Sequence, residues 1–141
     1  MAFKIRQYQC GDLLKILTRD ILLKYQIEQP SDKNINPKLS WTFIKNDEII
    51  GCGGFLKLRD GVYEVWLHPR TKEDLQKHLL TVIRKFKQEL KKLSYHRIQA
   101  IFAEEGSNSK FHRLLGFEFE SYLSKYRADG HDMIIAVILR K

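Results

Sequence analysis

The stretch Val62–Leu93, VYEVWLHPRTKEDLQKHLLTVIRKFKQELKKL, constrains this chain most, because it demands a strand, a tight loop and a long helix in direct succession. Val62, Val65, Trp66 and Leu67 favour extended backbone, and Pro69 closes the strand because it has no amide to donate. Thr71 offers a helix N-cap, with Asp74 as its capping-box partner. Leu75, Leu79, Val82, Phe86, Leu90 and Leu93 then recur at helical spacing and draw one apolar face. Lys77, Arg84, Lys87, Lys91 and Lys92 fall largely on the other side. A strand that feeds at once into such a helix is the core of an α/β unit. The start of that helix is also where such units tend to bind anions.

The rest of the chain is expected to form one domain with this unit, spanning residues 1–141. A domain of that length buries roughly two-thirds of its unfolded surface and needs no staples. The formal net charge is +8, from 25 basic and 17 acidic residues. Such a balance suits an anionic partner, but the charges are scattered, which favours solubility over nucleic-acid binding. Cys10 and Cys52 have no short spacing and are expected to be buried thiols in a reducing compartment. The opening MAFKIRQYQC has no apolar run of signal-peptide type, and no segment has the length to cross a bilayer. The expected location is the cytoplasm, or a particle assembled in one.

Read in order, Phe3–Tyr8 alternates as a first strand and Gly11 breaks it. Asp12 is a plausible N-cap for a helix over Leu13–Ile27, and SDKNINPKLS is a polar loop with room for one helical turn. Ser40–Lys45 and Glu48–Leu58 are strands joined at Asn46-Asp47, and Asp60-Gly61 is a strong hairpin signal. Gly51, Gly53 and Gly54 inside the second of these suggest a bulge or a close backbone neighbour. GCGG is not a phosphate loop, since no helix follows it and no lysine stands in the required place. After the organising unit come a strand over Arg97–Ala103, expected parallel to Val62–His68, and a short helix ending at Leu115 with Gly116 behind it. Ser107 or Asn108 can cap that helix. Phe117–Lys125 and Met133–Leu139 close the chain as an antiparallel hairpin turning at Ala128-Asp129-Gly130. The predicted order is βαβββαβαββ, a mixed α/β sheet.

That order, with EVWLHP, HRIQAIFA and LLGFE as landmarks, resembles the GNAT acetyltransferase superfamily over nearly the whole chain. More narrowly, EVWL, HRIQA, LLGFE and the late KYRADGHD look like the small GNAT-like proteins of tailed bacteriophages, a group that includes internal virion proteins. The resemblance implies a GNAT fold with a V-shaped opening between the two parallel strands. It also implies acetyl-CoA as cofactor, with its pantetheine arm on the backbone of Val65, Trp66 and Leu67. In the family a loop of pattern Arg/Gln-x-x-Gly-x-Gly/Ala follows, whose bare amides approach the pyrophosphate. Here those positions hold Lys72, Glu73, Asp74, Leu75 and Lys77, and no glycine occurs between Gly61 and Gly106. Glu73 and Asp74 put negative charge where the pyrophosphate should sit; Arg70, Lys72 and Lys77 are the cations that could offset it. Glu105 stands where many relatives have an asparagine that bonds the pantetheine amides, and Asn108 is placed on the same cofactor side.

Acetyl transfer to an amine needs a base for the amine proton and a donor for the leaving thiolate. Glu64 lies where some GNAT enzymes place a basic carboxylate; the alternative is a surface glutamate paired with Arg97 on the neighbouring strand. His112 takes the place of the family's tyrosine donor; the alternative is a half-buried structural histidine. Tyr122 and Tyr126 could line a substrate cleft or be ordinary strand aromatics. The five histidines and two cysteines show no metal-ligand spacing. Two functions fit these residues. One is transfer of an acyl group from acyl-CoA to an unknown amine. The other is a non-catalytic phage protein, either a virion component or a host-directed binding module. Neither involves nucleic acid or a membrane.

Overall fold

A computed structural model describes residues 3–16, 32–102, 109–127 and 129–140. Seven strands hydrogen-bond in the order β1-β2-β3-β4-β5-β7-β6. They are β1 (Phe3–Gln7), β2 (Ser40–Lys45), β3 (Glu48–Arg59), β4 (Val62–Pro69), β5 (Arg97–Phe102), β6 (Glu118–Leu123) and β7 (Met133–Leu139). Two α-helices belong to the described residues, α1 (Lys72–Lys92) and α2 (Ser109–Leu115). This is the predicted order of elements, apart from the helix over Leu13–Ile27. Of that helix only Leu13–Lys15 is described, as a single 3-10 turn, and the remainder lies largely outside the described residues. Asp12 makes no side-chain cap bond there, contrary to expectation. The polar loop before β2 holds two short 3-10 turns, Asp32–Asn34 and Pro37–Leu39, rather than one.

The chain divides into two compact units, residues 1–56 with 66–77, and residues 57–65 with 78–141. In the first unit β1 pairs antiparallel with β2, and β2 with β3. Asn46 and Asp47 both take positive φ, 50° and 65°, the backbone that a tight hairpin with right-handed twist requires. The register of β2 and β3 slips between Phe43 and Ile44, and Gly54 faces Ser40 so closely that a Cβ there would collide with the Leu39 carbonyl. The glycine-rich strand was expected to carry a bulge or a close backbone neighbour, and both are present. Tyr8, Leu13, Ile16, Ile35, Cys52 and Trp66 form the core of this unit. Asp12, fully buried, accepts from Arg6 Nη1 at 2.7 Å and Nη2 at 3.0 Å, from the Gln9 amide at 2.8 Å and from Thr42 Oγ1 at 2.7 Å. It serves as a buried tie between β1 and β2 rather than as a helix cap. Cys52 is buried as expected; Cys10 is exposed, because it sits in the turn that follows β1.

In the second unit β4 runs parallel to β5, β5 antiparallel to β7, and β7 antiparallel to β6. The closing hairpin therefore inserts its last strand against β5. MIIAVIL takes the inner place because it is apolar on both faces, and the charged EFESYL goes to the edge. Ile98 and Ala100 are fully buried on one face of β5, and Phe86 of α1 meets Phe111 of α2 edge-to-face at 5.1 Å. Strand β6 ends at Leu123, earlier than predicted. Lys125 adopts a positive φ of 54°, so Tyr126 lies beyond the strand; it and Tyr122 are exposed. In α1 the helical path breaks at His78 (φ −119°, ψ 16°), the first residue of this unit after Lys77.

Candidate functional site

The parallel register of β4 with β5 covers Val62↔Arg97, Tyr63↔Ile98 and Glu64↔Gln99, and carries no further pair among the described residues. On its other edge β5 pairs with β7 along its whole length, from Arg97↔Leu139 to Phe102↔Ile134, so the end of the β4 register is not a change of partner. Val65, buried, follows Glu64 without a β5 partner in that register. Trp66 and Leu67, also buried, continue β4 into the first unit.

Glu64 is half-buried, and Gln99 Nε2 donates to its Oε1 at 3.1 Å. The expected partner Arg97 does not reach it. Its Nε donates to Gln99 Oε1 at 3.2 Å, and its two terminal nitrogens grip Glu120 at 2.8 and 2.7 Å. The result is a chain Glu120–Arg97–Gln99–Glu64 along one face of this unit. The Glu120 carboxylate holds the Arg97 guanidinium above its usual range, and Arg97 holds the Glu120 carboxyl below its own. The Gln99 amide thus has both ends committed, and Glu64 Oε2 carries no hydrogen bond among the described residues. Gln99 and Glu120 were not singled out by sequence. Alternation on β5 puts Gln99 beside Glu64 once the parallel register is granted, but nothing local announces Glu120.

His112 is buried on α2, stacked on Phe102 at 4.2 Å and edge-on to Phe111 and Phe117. With Phe102, Arg113, Phe117, Phe119, Ile134 and Ala136 it lines a cavity of about 190 Å³. Phe102 and Gln99 are an odd number of residues apart on β5, so they point to opposite faces. His112 therefore packs on the face away from Glu64, and the two are not brought together as an acid and a base. Glu105 and Asn108 lie outside the described residues.

The helix start belongs to the first unit. Thr71 caps it as predicted, its Oγ1 accepting the Asp74 amide at 3.1 Å, but the return bond of a capping box does not form, because the Asp74 carboxylate turns to Arg70 instead. The Asp74 carboxylate is clasped by Arg70, through Nε at 2.9 Å and Nη2 at 3.3 Å. Arg70 also gives Nη1 to Glu48 at 3.0 Å and its backbone N–H to the Ile50 carbonyl at 2.7 Å. Burial pushes the Asp74 carboxyl up, but Arg70 and the Thr71 hydroxyl outweigh it and the net shift is down. Arg70 is therefore committed to carboxylates and does not offset the acidic turn toward a ligand. Lys72, Glu73 and Lys77 are exposed. Just upstream, His68 is buried and its titration is pushed down by that burial. Its Nε2 and Trp66 Nε1, on the same face of β4, have no hydrogen-bond partner among the described residues. Among the described residues no group of three or more His, Cys, Asp or Glu is placed to hold a metal, and no helix is long and apolar enough to cross a membrane.

No family model matches the sequence, and no curated protein matches it. Solved structures do match. Ard1 from Thermoplasma volcanium superposes with a TM-score of 0.76 at 11% identity, covering 100% of this chain and 99% of that one. The chain has the GNAT acetyltransferase fold. A GNAT acetyltransferase from Bacillus anthracis aligns at 19% identity and TM-score 0.70, over 97% and 94% of the two chains. Another, from Elizabethkingia anophelis with acetyl-CoA bound, gives 14% and 0.68 over 98% of each. The GNAT fold raises acetyl-CoA as a ligand, and the helix start is where its diphosphate has to be tested. An amide already capped, two carboxylates in the first turn and an engaged arginine do not fit a diphosphate.

Proposed function

We propose that this GNAT-fold protein transfers an acyl group from a thioester to an amine, with Glu64 as the base on the acceptor side. The support is the end of the β4–β5 register at Glu64, where a carboxylate is held at one oxygen by Gln99 and left open at the other. Glu64, directly or through one water, takes a proton from the amine; the nitrogen attacks the thioester carbonyl; the C–S bond breaks and the leaving thiolate takes a proton from solvent to become a thiol. The acceptor is an unidentified amine, and the setting is the cytoplasm. Val65, Trp66 and Leu67 are the backbone proposed to carry the arm of the thioester. No step depends on His112, which faces the other side of β5.

The test is mass-spectrometric detection of acyl transfer from acetyl-CoA and from S-acetylpantetheine to a panel of primary amines. Glu64→Gln is expected to slow transfer by roughly 100-fold or more, the usual range for a lost general base. Equal rates for the two proteins would refute the role of Glu64.

The Arg70–Asp74 clasp favours a second reading, a non-catalytic GNAT-fold protein, whose setting in a phage, as a virion component or host-directed binding module, rests on the sequence resemblance alone. On that reading the loop is degenerate because it no longer has a cofactor to hold. Isothermal titration separates the two: the second predicts no heat from either thioester at millimolar concentration.

A further inference from the structure

We infer that the start of α1 is closed to phosphate groups, so that any thioester this protein uses is selected by its acyl-sulfur end and not by a diphosphate. For the donor, this rests on the acyl-transfer reading above; the closure itself rests on the geometry of the helix start.

A diphosphate docked on a helix start needs bare amides, close backbone approach and a positive field. The Asp74 amide is already taken by Thr71 Oγ1. Residues Arg70–Leu75 all carry side chains, with no glycine to admit a bulky anion to the backbone. Glu73 and Asp74 set a negative field in the first turn, and Arg70 spends its fork on Asp74 and Glu48. A phosphate that took Arg70 would leave the Asp74 carboxylate, with a side chain only 16% exposed, without its counter-ion. The low titration range of Asp74 keeps that carboxylate charged at neutral pH. Lys72 and Lys77 are exposed, so they supply only a screened, unspecific attraction.

The consequence is a loss of discrimination. Two charge-assisted hydrogen bonds to a diphosphate would favour acetyl-CoA over S-acetylpantetheine by at least about 100-fold. The closed helix start predicts a preference below about 3-fold in kcat/KM. The second arm is amide NMR of the whole protein titrated with adenosine 3′,5′-bisphosphate and with CoA. Saturable shifts at the Lys72–Leu75 amides are expected to be absent in the natural protein. They should emerge in E73G/D74G, with its fold checked by circular dichroism, and Glu48→Gln serves as a milder loosening of Arg70 should that variant not fold. Saturable shifts in the natural protein, or a 100-fold preference for acetyl-CoA, would overturn the inference. If neither thioester reacts, the acyl-transfer reading fails, and the NMR arm still decides whether the helix start is closed.

Discussion

Replacing Asp12 by asparagine is the sharpest test of what holds the first unit together. Asp12 is 1% exposed, and its carboxylate accepts four hydrogen bonds, two of them from the Arg6 fork. An amide of the same shape has one acceptor and one donor end. Kept with its oxygen toward Thr42 Oγ1, the Gln9 amide and Arg6 Nη1, it turns its NH2 group against Arg6 Nη2, so one bond is lost and the other three lose the charge on their acceptor. Hydrogen bonds to charged groups contribute about 1.5–3 kcal/mol and neutral ones about 0.5–1.5. Arg6, with a side chain 31% exposed, recovers part of its hydration. The expected net cost is therefore about 2–4 kcal/mol, or a fall in Tm on the order of 10 °C for a chain of this length. The pH dependence supplies a second reading of the same bonds. Burial pushes the Asp12 carboxyl up, but Arg6, Thr42 and the Gln9 amide outweigh it, so its folded pKa lies below the ordinary 3.8. Its contribution is then complete above 3.8 and is lost as pH falls through the folded value. Thermal unfolding followed by circular dichroism at pH 7 and across the acid range should show a gap between the two proteins that closes below pH 3.8. A Tm difference of less than about 2 °C at pH 7, or a gap that widens in acid, would refute this account of the tie.

Gly54→Ala should destabilise the protein by about 1–3 kcal/mol in chemical denaturation, because its Cβ would press on the Leu39 carbonyl and Ser40; an unchanged midpoint would show that the strands can part there. Burial lowers the His68 titration below 6.5, so the unfolded chain takes up that proton first, and stability should fall as pH drops from 6.5 toward the folded value; a flat profile there, or a slope that survives His68→Phe, would count against it. Gln99→Leu frees Glu64 Oε1 and Arg97 Nε without touching any reacting atom. If transfer is detected, this change should lower kcat and move the pH profile while leaving KM near its original value. An effect confined to thermal stability would reduce Gln99 to a structural role.

Much of this was legible in the residues because the signals are local. Pro69, Thr71 and the apolar spacing from Leu75 to Leu93 place the strand end, the cap and the helix without any tertiary knowledge, and Thr71 caps where it was expected to. The glycines of β3 announced close backbone contact, and Gly54 makes it. What stayed hidden depends on partners distant in sequence. Asp12 looks like a helix cap until Thr42 and Arg6 are folded around it. Arg97 looks like the natural partner of Glu64 until Glu120, on a strand separated from β5 by β7, proves the better-matched acceptor. His112 reads as a candidate donor by position in the chain, yet the odd interval between Gln99 and Phe102 sends it to the other face. The order of β7 and β6 was available in their composition, since only the apolar strand suits an inner place.

Strand β6 ends one side of the sheet, and there Glu120 is an extra residue: Phe119 pairs with Ala136 and Ser121 with Ile135, leaving nothing opposite the glutamate between them. An outer strand interrupted in this way offers no unbroken row of donors and acceptors to a newcomer. Copies crowded together in concentrated solution should therefore find no seam along β6 on which to zip into ladders, and that flank of the molecule should resist fibre growth.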